Sequence, residues 1–487
     1  MDNYRFGTVD YLVLVAMTLL STGTGIYFGA LKRTNFGSEK IDEYLMGSRN
    51  MKVIPVSITL YRVTSIIGTP SEIYHYGTQY YLIIVAIILQ GIAFSYVYLP
   101  VYSALQIGSA YEGGLKAVVH TDVWQVAVMF LSLVAVAFLA IYYSNGLVAV
   151  FDDAEQGGRL MLANTNPSPY VRHTVWSVLI GGFSFWTSVN AGGQHMVQRY
   201  MSLPSLKKSR QASFIFTIGV SIFIALCCFM GLLLFSKYKD CDPRSAGMIL
   251  NDDQLLPLFV VQSVGHIYGM PGLFIAGIFG AGLSSLSSCF NTVSMVFLED
   301  IVRGFFKMEP SERQSTILIK TCIIFQGILA FLIVFLLQHL RGILSVCNSI
   351  SSITAGTSFG VFTLGMLFPW ANTIGTAVGG LSSVLLAGWI SFGSQIAAAS
   401  GQLKSGMLPV SVKECVGNVT LPEDPWVDQD QVFPLYRLSY HWVSPIGVVT
   451  AVVVGALVSL ITKPADIKTL HAELISPVIH RSVYRLF

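Results

Sequence analysis

Apolar runs of about 20 residues, separated by short polar connections, recur along the chain and predict about eleven membrane-crossing helices. They fall at 9–31, 53–75, 79–107, 117–143, 174–193, 210–236, 272–299, 316–338, 344–369, 372–395 and 444–462, with longer polar loops at 144–173 and 396–443. The pattern is that of an all-α polytopic membrane protein. One run stands apart. The stretch from Pro271 to Glu299 carries Ser284, Ser285, Ser287 and Ser288 in its middle, beside Gly280, Ala281 and Gly282. As a helix it gathers Ala281, Ser284, Ser285 and Ser288 on one face by i, i+3, i+4 and i+7 spacing. Such a face can pack closely on a neighbour and hydrogen-bond across to it. It can equally offer hydroxyl ligands to Na⁺, completed by carbonyls of an unwound neighbour. The run alone leaves both readings open.

The run at 53–75 contains Gly68, Thr69 and Pro70 in succession, with Arg62 and Glu72 nearby. Gly and Pro release backbone groups from the helical ladder. The helix therefore either breaks there and lines a cavity, or ends at Gly68 with Pro70 opening a turn. Arg62 is costly in lipid and needs a partner, water or an interface. Gly181-Gly182 and Gly192-Gly193 put a second candidate break in 174–193, just ahead of Val197-Gln198-Arg199-Tyr200. The run at 344–369 is rich in hydroxyls and small residues around Asn348, Ser352 and Thr354, suited to a cavity wall or to close packing.

Composition agrees with the pattern. Hydrophobic residues make up 53% of the 487 residues and charged residues 11%, with a mean hydropathy of +0.64. So few charges cannot cover a soluble surface, and the lipid bilayer is the partner they imply. A net charge of +3 gives no support for a nucleic-acid partner. Cys227, Cys228, Cys289, Cys322 and Cys347 lie in apolar runs as ordinary filler, without metal-ligand spacing. No H-E-x-x-H, G-x-S-x-G or spaced carboxylate pair within a span suggests an enzyme.

Seventeen Lys and Arg residues fall in one set of connections and ten in the other, among them Arg159, Arg172 and Arg437 in longer loops. The positive-inside rule then sets the N-terminus outside and the C-terminus in the cytoplasm. The acceptor sequence Asn418-Val419-Thr420 falls outside, as a glycosylation site requires. Cys241 and Cys415 also fall outside, where a disulfide is permitted and two free thiols are equally so. The first span lacks a basic n-region and a clear cleavage site and is expected to remain as a signal anchor.

Several segments carry a more specific likeness. They are GTPSEIYHYGTQY at 68–80, GGLKAVVHTDVWQ at 113–125, VQRY at 197–200, CDP at 241–243 and QLLPLFV at 254–260. GLSSLSSCFN at 282–291, LED at 298–300 and GVFTLGMLFPWAN at 360–372 complete the series. Through nearly the whole chain, and in this order, they resemble the sodium:solute symporter family, and within it the sodium-coupled monocarboxylate and multivitamin branch. The resemblance implies one transporter domain over 1–487 with two inverted five-helix repeats. These are 53–143 and 174–369, with 9–31, 372–395 and 444–462 as peripheral spans. It implies a sodium ion at Ala281, Ser284 and Ser285, completed by carbonyls of the broken first repeat helix, and an inner sodium path at Asp122. It also implies sodium-coupled symport of a small organic anion by alternating access at the plasma membrane. The anion's carboxylate would rest on a half-helix end near Gly68, Thr69 and Pro70. Asn348, Ser352 and Thr354 are candidates to orient it.

Three departures from the family pattern stand out. Ala110-Tyr111-Glu112 runs directly into Gly113-Gly114-Leu115, where the family places two more helices, so the first repeat is expected to be incomplete. Val53–Gly68 is about one helical turn short, which brings Tyr61-Arg62 close to the expected sodium carbonyls. Arg62 must then point away or pair with an acid such as Glu72. Gly193 stands where the family usually carries Asn. The alternative function is a shortened, transport-incompetent member with a binding or regulatory role.

Overall fold

The computed structural model describes residues 6–30, 53–58, 64–105, 115–143, 146–337, 343–403, 406–416, 419, 421, 431–466 and 470–483. Every regular element among them is helical. We label the helices α1 (Thr8–Ala30), α2 (Val53–Ile58), α3 (Thr64–Tyr76), α4 (Thr78–Ala104), α5 (Leu115–Tyr143) and α6 (Leu147–Gln156). Then follow α7 (Val175–Thr187), α8 (Gln194–Met201), α9 (Leu206–Tyr238), α10 (Leu255–Val264) and α11 (Met270–Val296). The last are α12 (Glu312–Leu337), α13 (Ile343–Leu367), α14 (Thr373–Ala399) and α15 (Val443–Ile461).

Among the described residues eight helices are long and apolar enough to cross a bilayer: α4, α9, α11 with its continuation to Phe305, α14, α15 with its lead-in from Tyr440, and stretches of α5, α12 and α13. The other three expected spans take different forms. α1 is apolar over Thr8–Gly23. The 53–75 run supplies α2 and α3, and 59–63, with Arg62, lies outside the described residues. The 174–193 run is α7, which widens into a π turn at Ser188–Gly192, becomes extended at Gly193 and restarts as α8. That interruption is where Gly192-Gly193 suggested it.

The expectation for Gly68, Thr69 and Pro70 is corrected. No break or helix end falls there, because α3 runs through all three. An interior proline ordinarily costs about 3 kcal/mol, and here packing outweighs the local rule. α3 lies so close to α9 that a Cβ on Gly231 would sit 2.7 Å from the Pro70 carbonyl oxygen and 2.5 Å from Ile73 Cβ. Ile66, Thr69, Ile73 and Tyr74 are buried in that contact region.

α5 lies along α11, with Gly277 against Met129 and Ser132 and Gly280 against Gln125. α1 packs beside them. Its Asp10 carboxylate is buried and accepts from the Gly272 N–H at 3.0 Å, a favourable anion at the positive end of α11. Gln125 Nε2 donates to Ser21 Oγ at 3.0 Å. α4 packs on α7 and α9, while α13, α14 and α15 form a trio joined through small residues. α12 meets the bundle mainly along α11, where Gln326 Nε2 donates to Ser294 Oγ at 2.9 Å. No residue of its membrane-length window is buried.

At one end the connections knit into a collar. The Thr78 N–H donates to Arg159 O (2.8 Å), Leu408 N–H to His75 O (2.8 Å), Asp242 N–H to Ser411 O (2.8 Å) and Ser439 N–H to Pro169 O (3.0 Å). Cys241 and Cys415 are joined there as a disulfide, their Cα atoms 5.0 Å apart. Glu72, named as a possible partner for Arg62, is engaged by Arg172, whose Nε and Nη2 donate at 2.7 and 3.1 Å, while Arg62 lies outside the described residues. His173 Nε2 bonds the same carboxylate at 2.7 Å. Asn418 lies outside the described residues.

Candidate ion and solute site

α11 presents its hydroxyl face to the protein. Ala281 is 3% and Ser284 9% exposed, and Ser285 is half-buried, whereas Phe279, Leu283, Leu286 and Val293 on the opposite face are exposed. Burial of this face follows from its composition, since Gly277, Gly280 and Ala281 let α5 approach to backbone contact. The Ser285 hydroxyl donates to Ala281 O at 3.0 Å and Ser287 to Ser284 O at 3.0 Å. A serine that donates its only proton to its own helix still keeps oxygen lone pairs for a cation.

Asp122 lies on α5, and its side chain is outside the described part of that helix. The Gly277–Met129 and Gly280–Gln125 contacts define an antiparallel register, which sets the turn of Asp122 level with Ser284. The main-chain carbonyls expected to complete a sodium site would come from the stretch joining α2 to α3, outside the described residues. α3 itself packs chiefly on α9.

The expected solute residues are not gathered together. Gly68, Thr69 and Pro70 are interior to α3, with Thr69 and Pro70 buried, and the positive end of that helix is at Thr64. The Asn348 side chain lies outside the description and Ser352 is half-buried. Thr354 is exposed, and its hydroxyl returns to Ile350 O at 2.9 Å. α13 instead meets the interruption between α7 and α8 through Ala355 and Ser358. The Ser188 hydroxyl donates to Ala355 O, and a Cβ on Gly192 would lie 2.9 Å from Ser358 Cβ.

Around the interruption lies a buried polar knot. The amides of Asn190 and Gln90 meet at 3.1 Å, Asn190 Nδ2 also donates to Trp186 O at 3.0 Å, and the Tyr102 hydroxyl donates to Ala191 O. π turns of this kind free carbonyls from the regular ladder and recur at functional sites. Gly193 has an extended backbone (φ −83°, ψ 105°) that any residue can adopt. A Cβ there would nevertheless lie 2.4 Å from Val189 O, so the family's usual Asn has no room in this geometry. Beyond Gly193, buried Arg199 on α8 donates from Nη2 to Ser288 Oγ, and the Thr292 hydroxyl reaches Gln198 Oε1 at 3.5 Å. In the sequence Arg199 stands out only as part of a basic run, and Gln90, Ser188, Asn190 and Ser358 carry no mark of their own. A π widening leaves no signature in residue types, and these partners lie roughly 90–170 residues apart.

A multi-pass helical bundle with one helix interrupted near mid-course and a second helix turning hydroxyls inward has the build of a secondary transporter. The sequence profile of the sodium:solute symporter family matches residues 97–383, and the chain belongs to that family. It is 28% identical over 556 aligned residues to sodium-coupled monocarboxylate transporter 2 of Homo sapiens, taking in 100% of this chain and 88% of that protein. It is 28% identical over 547 residues to the sodium-dependent multivitamin transporter of Oryctolagus cuniculus, taking in 96% of this chain and 85% of that one. The substrate-bound, outward-open structure of a Na⁺-coupled sialic acid symporter has the same fold. Its TM-score is 0.72 at 20% identity, covering 95% of this chain and 100% of that one. The 556 positions aligned with the human relative against 487 residues here leave roughly seventy without a counterpart, room for two spans of about 20 residues with connections.

Proposed function

We propose that this chain is a sodium-coupled symporter of small organic anions, monocarboxylates or vitamin-like carboxylates, working by alternating access in the plasma membrane. The observation that carries the reading is the buried Ala281–Ser284 face of α11, with Ser285 beside it, in a member of a sodium:solute symporter family. The sodium-coupled transport named for the two relatives supports the ion and the solute class. Sodium would bind at Ala281, Ser284 and Ser285, with Asp122 on its inward path. It would favour the outward-open state and so raise solute affinity. Inward movement of each positive charge then gains about 2.3 kcal/mol per 100 mV. The solute would lie between the α7–α8 interruption and α13, with Asn348 and Ser352 as candidates to orient it.

We read the chain as two inverted repeats, 53–143 and 174–369, and the roughly seventy unmatched positions are enough for the first to be short of two helices of about 20 residues each. The collar gathers the connections poor in Lys and Arg together with the Cys241–Cys415 bond. That grouping supports an extracellular collar, an extracellular N-terminus and a glycan on Asn418.

Uptake of a labelled monocarboxylate into proteoliposomes, under an inward sodium gradient against potassium, tests the reading. Sodium-dependent accumulation is expected, and Ser285→Ala should lower it at least about tenfold at limiting sodium, the scale of one lost charge-assisted ligand. Solute binding with no uptake by the parent chain would refute symport and leave a binding or regulatory role.

A further inference from the structure

We propose that Arg199 is the inner gate of the sodium path. Its guanidinium, held on Ser288, closes the side of the hydroxyl pair away from the collar, and the ion leaves inward only when α8 swings off α11. The proposal rests on the reading of Ala281, Ser284 and Ser285 as the ion's seat.

Three observations carry it. The first is position. Ser288 lies on the face of Ala281 and Ser284, one turn, about 5.4 Å, further along α11, and away from the collar, near which Gly272 begins the helix. An ion moving inward along that face meets Ser288 next. The second is chemistry. Arg199 is 4% exposed and donates to the Ser288 hydroxyl. One of that hydroxyl's two acceptor lone pairs is directed at the guanidinium and so is withdrawn from a passing cation.

The third is mechanical. α7 and α8 are separate rods joined through Gly193, and they are fastened to different bodies. The outer rod starts at a Thr174–Ser177 capping box beside the Arg172–Glu72 pair, and a Cβ on its Gly181 would lie 2.3 Å from His441 O. The inner rod reaches α11 through Arg199–Ser288 and Gln198–Thr292. Its other ties run to α9, where the Ser209 hydroxyl donates to Tyr200 O at 2.8 Å, and to the π turn, where the Tyr200 hydroxyl reaches Asn190 Oδ1 at 3.5 Å, so a pivot about these ends leaves the collar undisturbed.

The alternative is a buried arginine that merely ties two helices. Side-specific accessibility separates the two. Ala281→Cys is placed in a Cys289→Ser background, reconstituted, and exposed on one face at a time to an impermeant methanethiosulfonate. Sodium, against choline, should slow its modification, which tests the ion's seat independently of Arg199. Adding Arg199→Gln should raise the rate from the face opposite the collar about tenfold, with the collar-face rate held within about twofold, as a population shift toward the inward-open state requires. Ser288→Ala should act in the same direction, and Arg199→Lys, which keeps a charge and a donor, should stay near the parent. Unchanged rates in both Arg199→Gln and Ser288→Ala, or equal rises from both faces, would overturn the gate. If Arg199→Gln does not insert, the smaller Ser288→Ala change decides. A one-sided rise without sodium protection would support the gate and refute the ion's seat.

Discussion

Two glycines should respond in opposite ways to the same added methyl group. Gly193 has backbone angles open to alanine, yet the new Cβ would lie 2.4 Å from the Val189 carbonyl, well inside the 3.0 Å that such atoms keep. Relief requires moving the Ser188–Gly192 turn, which is pinned by Asn190 to Gln90 and Trp186 and by Ser188 to Ala355. Overpacking of this kind costs about 1–3 kcal/mol. At Gly68, in the interior of α3, an added Cβ has nothing within 4 Å. Replacing a helical glycine with alanine there should be neutral or stabilising by about 0.5–1 kcal/mol. Thermal unfolding of the purified protein in detergent, read by loss of monodisperse material, ranks the variants without a two-state assumption. Gly193→Ala should melt below the parent and Gly68→Ala at or above it. The reverse order would refute the reasoning and locate the break at Gly68.

Glu72→Gln removes the carboxylate shared by Arg172 and His173, and should cost about 1–3 kcal/mol because Arg172 is partly exposed; the same melting assay reads it. Burial, and then the Arg172 charge, hold the His173 imidazole down to about 3, against an ordinary value near 6.5. Below pH about 6.5 the unfolded imidazole binds a proton that the folded one refuses until about 3, so stability is lost as pH falls through that window. His173→Gln should flatten that part of the profile; an unchanged profile would mean that the folded imidazole takes up its proton over the same range as the unfolded one. Cys241→Ser or Cys415→Ser should each expose one new thiol to maleimide without prior reduction, and labelling of either residue in the unreduced parent would refute their bond.

The long spans, the inward serine face and the interruption at Gly192-Gly193 were legible because each is written in a contiguous run. Length sets a span, i+3 and i+4 spacing sets a face, and paired glycines weaken one turn. Gly68-Thr69-Pro70 misled for the converse reason. Whether an interior proline breaks a helix depends on what lies opposite, and what lies opposite is Gly231, far away in sequence. The charged pairings were illegible on the same ground. Glu72 finds Arg172 100 residues on, and Arg199 finds Ser288 89 residues on. Neither distance corresponds to any helical repeat. The solute residues proved hardest to read, since Ser352, Thr354 and Ser358 look alike in sequence and only packing shows which of them meets the α7–α8 interruption.

The single line of contact between α12 and α11 has a consequence for the membrane itself. Among the described residues nothing buries the membrane-length window of α12, which in a bilayer would leave most of its circumference to acyl chains. Its tilt therefore answers to bilayer thickness, and through Gln326 and Ser294 that tilt bears on the helix that carries the serines. A bilayer of different thickness is therefore expected to reach the serine-bearing helix by way of α12.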